Sequence, residues 1–185
     1  MIIIGITGTL GAGKGTVVDY MLEKKDFVHY SVRGLLTEEL NKREMPVNRD
    51  SLTHLANELR AGNNSAYLIE LLFDKAYENG RNCVIESIRT PGEIQMLRNK
   101  PNFFLLAVDA DPKVRYERIT QRGSETDNVS FSTFLENEKR EMQSTDPNKQ
   151  NLSECIKQAD FVINNNGGIN ELNAQVEDFY SKYVA

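Results

Sequence analysis

Apolar residues gather in five short runs, at 2–7, 27–31, 82–86, 103–109 and 161–164. The first and fourth are continuously apolar rather than alternating, the pattern of strands covered on both faces in a parallel sheet. Between the runs the apolar period lengthens to that of a helix. Val17, Val18, Met21 and Leu22 form one stripe, directly after a glycine-rich turn. Leu52, Leu55, Ala56 and Leu59 form a second, and Leu68, Leu71 and Leu72 mark a third. Asp111 followed by Pro112 reads as an N-cap and first turn, opening a helix to about Arg122. Ile169, Leu172, Val176 and Phe179 line a final helix. Strands alternating with helices predict a doubly wound α/β sheet of five parallel strands with helices on both faces.

The alternation breaks in two places. About fifty residues of helical pattern separate the second and third runs, far more than one crossover needs. The polar stretch 123–130, GSETDNVS, parts two helices and reads as a mobile loop. A further polar stretch, 144–151, precedes the last strand. No internal repeat or linker divides the chain, so residues 1–185 are expected to form a single domain.

The most specific motif follows the first strand. Gly8-Thr9-Leu10-Gly11-Ala12-Gly13-Lys14-Gly15-Thr16 joins a buried strand to an amphipathic helix. Glycines there let successive backbone N–H groups aim at one point, and the helix N-terminus adds its dipole. Lys14 would reach the terminal phosphates. The expected nucleotide-phosphate ligands are Gly8, Gly11, Ala12, Gly13, Lys14, Gly15 and Thr16. This is a nucleotide-phosphate motif.

Charge changes that picture only by exclusion. Lys and Arg total 22 against 27 Asp and Glu, a net charge of −5. Such a balance opposes nucleic-acid or anionic-membrane binding, which needs a basic face. Cys83 and Cys155 lie far apart and form no CxxC pair, so neither a disulfide scaffold nor a zinc site is expected. The run 2–6 is too short for a signal peptide or membrane span, and a cytoplasmic setting is expected. His29 and His54 have no partners at useful spacing and read as structural or surface residues.

In the phosphate motif Gly15, not Ser or Thr, follows the lysine, and the hydroxyl arrives at Thr16. This G-x-x-G-x-G-K-G-T variant resembles adenylate kinase and the other P-loop nucleoside monophosphate kinases. The resemblance spans nearly the whole chain. It implies a P-loop NTPase-type fold with a helical acceptor-binding insertion, about 32–80, and a short lid, about 118–142. It also implies ATP as co-substrate, Mg2+ as cofactor, and a monomer or homodimer.

The resemblance assigns roles to arginines standing where phosphoryl transfer needs cations. Arg33, Arg60 and Arg89 would bind the acceptor. Lys14, Arg89, Arg118 and Arg122 would act in catalysis, the last two as a lid pair. Arg115, Arg118 and Arg122 share a helix face by spacing, and Arg115 is also suited to pairing with Glu117 or with the acidic segment 136–141. Thr16 and Glu86 would hold the metal, Glu86 through water. The family's Asp-Gly before its arginine is replaced here by Glu86-Ser87. The turn 164–168, NNNGG, would lie beside the adenine.

The best reading is thus a kinase of nucleoside or deoxynucleoside monophosphates. The dephospho-CoA kinase-like branch is the runner-up, since Gly5-Ile6-Thr7-Gly8 and the 159–165 segment also resemble it. A regulatory ATPase without a small acceptor is a third reading. A GTPase would carry Asn-Lys-x-Asp, which neither Asn41-Lys42-Arg43-Glu44 nor Asn148-Lys149-Gln150-Asn151 supplies.

Overall fold

The computed structural model describes residues 1–124 and 128–184. The strands are β1 (Ile3–Gly8), β2 (Val28–Ser31), β3 (Cys83–Glu86), β4 (Phe103–Asp109) and β5 (Phe161–Asn164). They form one parallel sheet in the order β2-β3-β1-β4-β5. The five apolar runs therefore become the five strands.

The helices are α1 (Lys14–Lys25), α2 (Val32–Lys42), α3 (Arg49–Gly62), α4 (Tyr67–Asn79), α5 (Pro91–Arg98), α6 (Pro112–Arg122), α7 (Phe131–Met142), α8 (Leu152–Lys157) and α9 (Ile169–Tyr183). Alternate residues of the buried strands feed two cores. Ile3, Ile85 and Leu105 pack beneath α2 to α5 and α8, and Ile4, Val84 and Leu106 beneath α1 and α9. Both faces of the sheet are thus covered, which is why β1 and β4 need no polar alternation.

The long helical stretch resolves into α2, α3 and α4. Asn48 caps α3 in a reciprocal box with Ser51, and Thr90 caps α5 in the same way with Glu93. Asp111 accepts from the Lys113 N–H at 2.8 Å and opens α6 as its spacing predicts. The helix α8, between the polar stretch 144–151 and β5, is not expected from periodicity. It is short, and Asn151 caps it by accepting from Glu154 N. Tyr116, Phe131 and Phe134 hold α6 against α7, with ring centroids 5.0–6.1 Å apart. Residues 125–127 of the expected lid lie outside the described residues.

β1 and β4 sit centrally, so the turns at their carboxyl ends open into one crevice. That is where ligands collect in open α/β sheets.

Candidate active site

The turn after β1 is shaped by sterics as much as by sequence. Gly8 has φ +131°, and a Cβ there would stand 2.0 Å from the Val108 carbonyl oxygen. Gly13 has φ +101°, and its Cβ would meet Asn165 Nδ2 at 2.4 Å. Only glycine fits either place. Around Gly15, by contrast, a Cβ would meet nothing within 4 Å.

The turn is pinned from three sides. Thr9 Oγ1 donates to Asp109 Oδ1 at 2.6 Å, and Asn165 Nδ2 donates to the Ala12 carbonyl at 2.8 Å. Arg115, buried from solvent, donates to Ala110 O at 2.7 Å, Leu10 O at 3.3 Å and Glu138 Oε1 at 2.7 Å. Lys14 Nζ donates to Gly8 O at 3.0 Å and Thr9 O at 2.7 Å, which fixes its ammonium at the mouth of the turn. Burial, then the neighbouring Arg89 charge, lowers the Lys14 pKa to about 8, against the opposing carboxylates of Glu86 and Glu141.

Beyond β3 lies Glu86, whose Oε2 is 3.1 Å from His29 Nε2. Burial alone would push its carboxyl up. The His29 hydrogen bond, with the charges of Lys14 and Arg89, outweighs burial and holds it below the usual carboxylate range. Ser87 follows with φ +74°, in the left-handed region where the resembled motif has glycine.

A cavity of about 110 Å³ opens beside this turn. Its lining includes Arg33, Arg49, Arg60 and Arg89, together with Glu141 and Gln150. Arg89 Nη1 donates to Gln150 Oε1 at 2.8 Å and Glu141 Oε2 at 3.2 Å. Arg60 is 1% exposed, and its Nε and Nη2 donate to Glu93 Oε1 at 3.1 and 2.8 Å. Its Nη1 is buried without a hydrogen-bond partner. A buried, unsatisfied donor on a charged group is costly unless a ligand completes it.

The sequence profile of the family described as AAA domain matches residues 4–146. The chain belongs to the AAA domain family. A UPF0200 protein of Pyrobaculum aerophilum is 31% identical to this AAA-domain chain over 176 residues, covering 94% of each. A UPF0200 protein of Methanococcus maripaludis is 27% identical over 187 residues, covering 100% of this chain and 98% of its own. Among solved structures, TT1252 from Thermus thermophilus superposes with TM-score 0.66 at 20% identity, covering 100% of this chain and 98% of its own. Shikimate kinase from Bacteroides thetaiotaomicron gives TM-score 0.55 at 15% identity over 98% of this chain and 97% of its own. These likenesses show a P-loop kinase-like fold. They single out neither the nucleoside monophosphate branch nor the dephospho-CoA branch, so the acceptor rests on the geometry.

In this AAA-domain protein the residues expected from sequence divide into groups. Arg33, Arg60 and Arg89 meet at one cavity, Arg33 at its exposed rim. The three arginines of α6, expected on one face, reach three environments. Arg115 turns inward to the phosphate turn. Arg118 crosses to the β5–α9 turn and donates to Asn165 O at 2.8 Å. Arg122 ends α6, exposed, beside the loop of which 125–127 lie outside the described residues. Thr16 is exposed at the start of α1.

Sequence reasoning missed Arg49, Glu93, Glu141, Gln150 and the role of His29. Only Glu93 had a local signal, the Thr90-Pro91-Gly92-Glu93 capping pattern. No group of three or more His, Cys, Asp or Glu suited to a metal occurs among the described residues. The oxygen donors of Thr16 and Glu86 are of the type a magnesium ion takes, which would leave most of its ligands to phosphate oxygens and water. Among the described residues, no helix is long and apolar enough to cross a membrane.

Proposed function

We infer that the protein is an ATP- and Mg2+-dependent kinase that passes a phosphoryl group to a small phosphorylated acceptor, a nucleoside or deoxynucleoside monophosphate. The observation that carries this is the meeting of Arg33, Arg49, Arg60 and Arg89 around one cavity beside the phosphate turn. An acidic protein that concentrates four guanidinium groups in one hollow has prepared it for an anion.

The chemistry follows from positions. The amides of 8–16 and the Lys14 ammonium cradle the terminal phosphates of ATP. Arg89 and Arg60, whose Nη1 is free for a ligand, orient the acceptor phosphate so that its oxygen lies in line with the transferred group. Thr16 and Glu86 would hold a magnesium ion, through water at Glu86, and the ion would supply charge neutralisation for the transferred group. His29 orients Glu86. Arg122 and, through the β5–α9 turn, Arg118 add positive charge from the α6 side, and closure excludes water.

One observation favours a larger acceptor, as in the dephospho-CoA kinase-like reading. A second hollow of about 510 Å³ adjoins the first and shares Arg49, Thr53, Glu141 and Gln150 with it. An ADP-release assay across nucleoside monophosphates, deoxynucleotides and dephospho-CoA separates these readings. ADP release without any acceptor would instead favour a regulatory ATPase.

A further inference from the structure

The cavity holds an anion that the chain itself supplies. Glu141, in the last turn of α7, reaches between Arg49 at the start of α3 and Arg89 beyond β3. One of its oxygens accepts from Arg49 Nη2, and the other from Arg89 Nη1 at 3.2 Å. Its side chain is 12% exposed, and its charge extends to Lys14, whose proton affinity it raises. A carboxylate seated between two arginines from separate elements has the position and hydrogen bonding of a phosphate's two oxygens.

Four guanidinium groups line the cavity against the carboxylates of Glu141 and of Glu93, which is bound to Arg60. The surplus is two positive charges while Glu141 stays and three once it leaves, of which a phosphate monoester dianion neutralises two. Such a dianion can take over the donors of Arg49 and Arg89, complete Arg60 Nη1 and leave Glu141 to water. A neutral polyol has no charge with which to displace a carboxylate from two arginines. A monoanion exchanges one carboxylate for another and leaves the surplus unmatched.

We propose that Glu141 is a specificity-determining residue: it occupies the acceptor-phosphate seat and yields only to a dianionic phosphate. This rests on the cavity being the acceptor site. The release also has a mechanical consequence. Glu138 lies one turn before Glu141 on α7 and binds Arg115, which holds the Leu10 carbonyl of the phosphate turn. Displacing Glu141 detaches the end of α7 from the acceptor arm while its middle stays anchored to the phosphate turn.

The test is calorimetric titration of inorganic phosphate into the wild-type protein, Glu141→Gln and Arg89→Ala. Removing the competing charge should tighten phosphate binding about tenfold in Glu141→Gln, equivalent to about 1.4 kcal/mol. The same variant should narrow the preference for phosphate over acetate. Binding lost in Arg89→Ala yet unchanged or weaker in Glu141→Gln overturns this inference alone, since it would make Glu141 a support for the arginines. Binding indifferent to Arg89→Ala places the anion elsewhere and overturns the cavity reading with it. A crystal structure of the wild-type protein with phosphate gives an independent readout should Glu141→Gln fold poorly. Glu141 turned away from Arg49 and Arg89 supports displacement; phosphate beside an unmoved Glu141 refutes it.

Discussion

Arg60 of α3 and Glu93 of α5 form an ion pair withdrawn from solvent, with Nη2 2.8 Å from Oε1 and side chains 1% and 0% exposed. The other Glu93 oxygen accepts from the backbone N–H of Arg89 at 2.7 Å and of Thr90 at 3.0 Å. One carboxylate therefore caps α5, anchors the Arg89 backbone and neutralises an arginine in the arginine-lined cavity. Breaking a buried pair from one side leaves an uncompensated charge, which typically costs about 3–5 kcal/mol. Glu93→Ala should lose stability on that scale in urea unfolding, and Arg60→Met combined with Glu93→Leu should lose less than Glu93→Ala. A loss below about 1 kcal/mol in Glu93→Ala would show that water enters and screens the site.

The sheet was legible because burial on two faces leaves a local mark. The continuous apolar runs at β1 and β4, the Asp111-Pro112 start of α6 and the glycine spacing of the phosphate turn each act within a few residues. The arginine-lined cavity was only half legible. Arg33, Arg60 and Arg89 could be singled out by their places after strands or in the helical insertion. What balances them could not. Glu93 meets Arg60 across 33 positions and Glu141 meets Arg49 across 92, and no local pattern encodes such distances. The arginines of α6 leave one helix face, as their spacing predicts, yet part company for the same reason. Spacing fixes where a side chain leaves a helix, and the long guanidinium stem then follows whichever carbonyl or carboxylate its surroundings offer.

Ser87 occupies φ +74° at the edge of the cavity, where a side chain costs roughly 1–2 kcal/mol over glycine in the folded state. Glycine at the same place makes the unfolded chain freer, which offsets part of that gain. Ser87→Gly should therefore stabilise the protein by about 0.5–1 kcal/mol, read as a shift in urea midpoint at constant m-value. A destabilised Ser87→Gly would mean that the hydroxyl contributes more than the strain removes.

Kinetic constants should separate the cations by location. Arg89→Ala should raise the KM of the acceptor far more than that of ATP, because Arg89 lines the cavity proposed for the acceptor. Arg118→Ala frees the Asn165 carbonyl, and Asn165 in turn holds Ala12, so its main effect should be on the KM of ATP. Arg122→Ala should lower kcat. Equal effects on both KM values for Arg89→Ala would remove it from the acceptor site, and an unchanged kcat for Arg122→Ala would make that residue a surface charge.

Lys14 carries the clearest pH signature. Its folded pKa, about 8, lies below its ordinary value of 10.5, because a desolvated ammonium beside Arg89 is held in its charged form at a cost. Below about pH 8 both folded and unfolded chains keep the proton, and the cost is present in full. As pH rises from about 8 toward 10.5 the unfolded chain holds the extra proton, so the penalty shrinks and this residue's contribution to stability improves. Lys14→Met removes the penalty, so it should be more stable than wild type at pH 7, with the difference narrowing toward pH 10. Phosphate binding runs the opposite way. A bound anion needs the charged lysine, so pyrophosphate should bind the wild-type protein more weakly above about pH 8 and should take up a proton as it binds there. Calorimetry at pH 8.5 in buffers of different ionisation heat measures that uptake directly. Zero uptake in the wild-type protein, or the same uptake in Lys14→Met, would mean that Lys14 is already fully charged in the folded protein or lies outside the phosphate site.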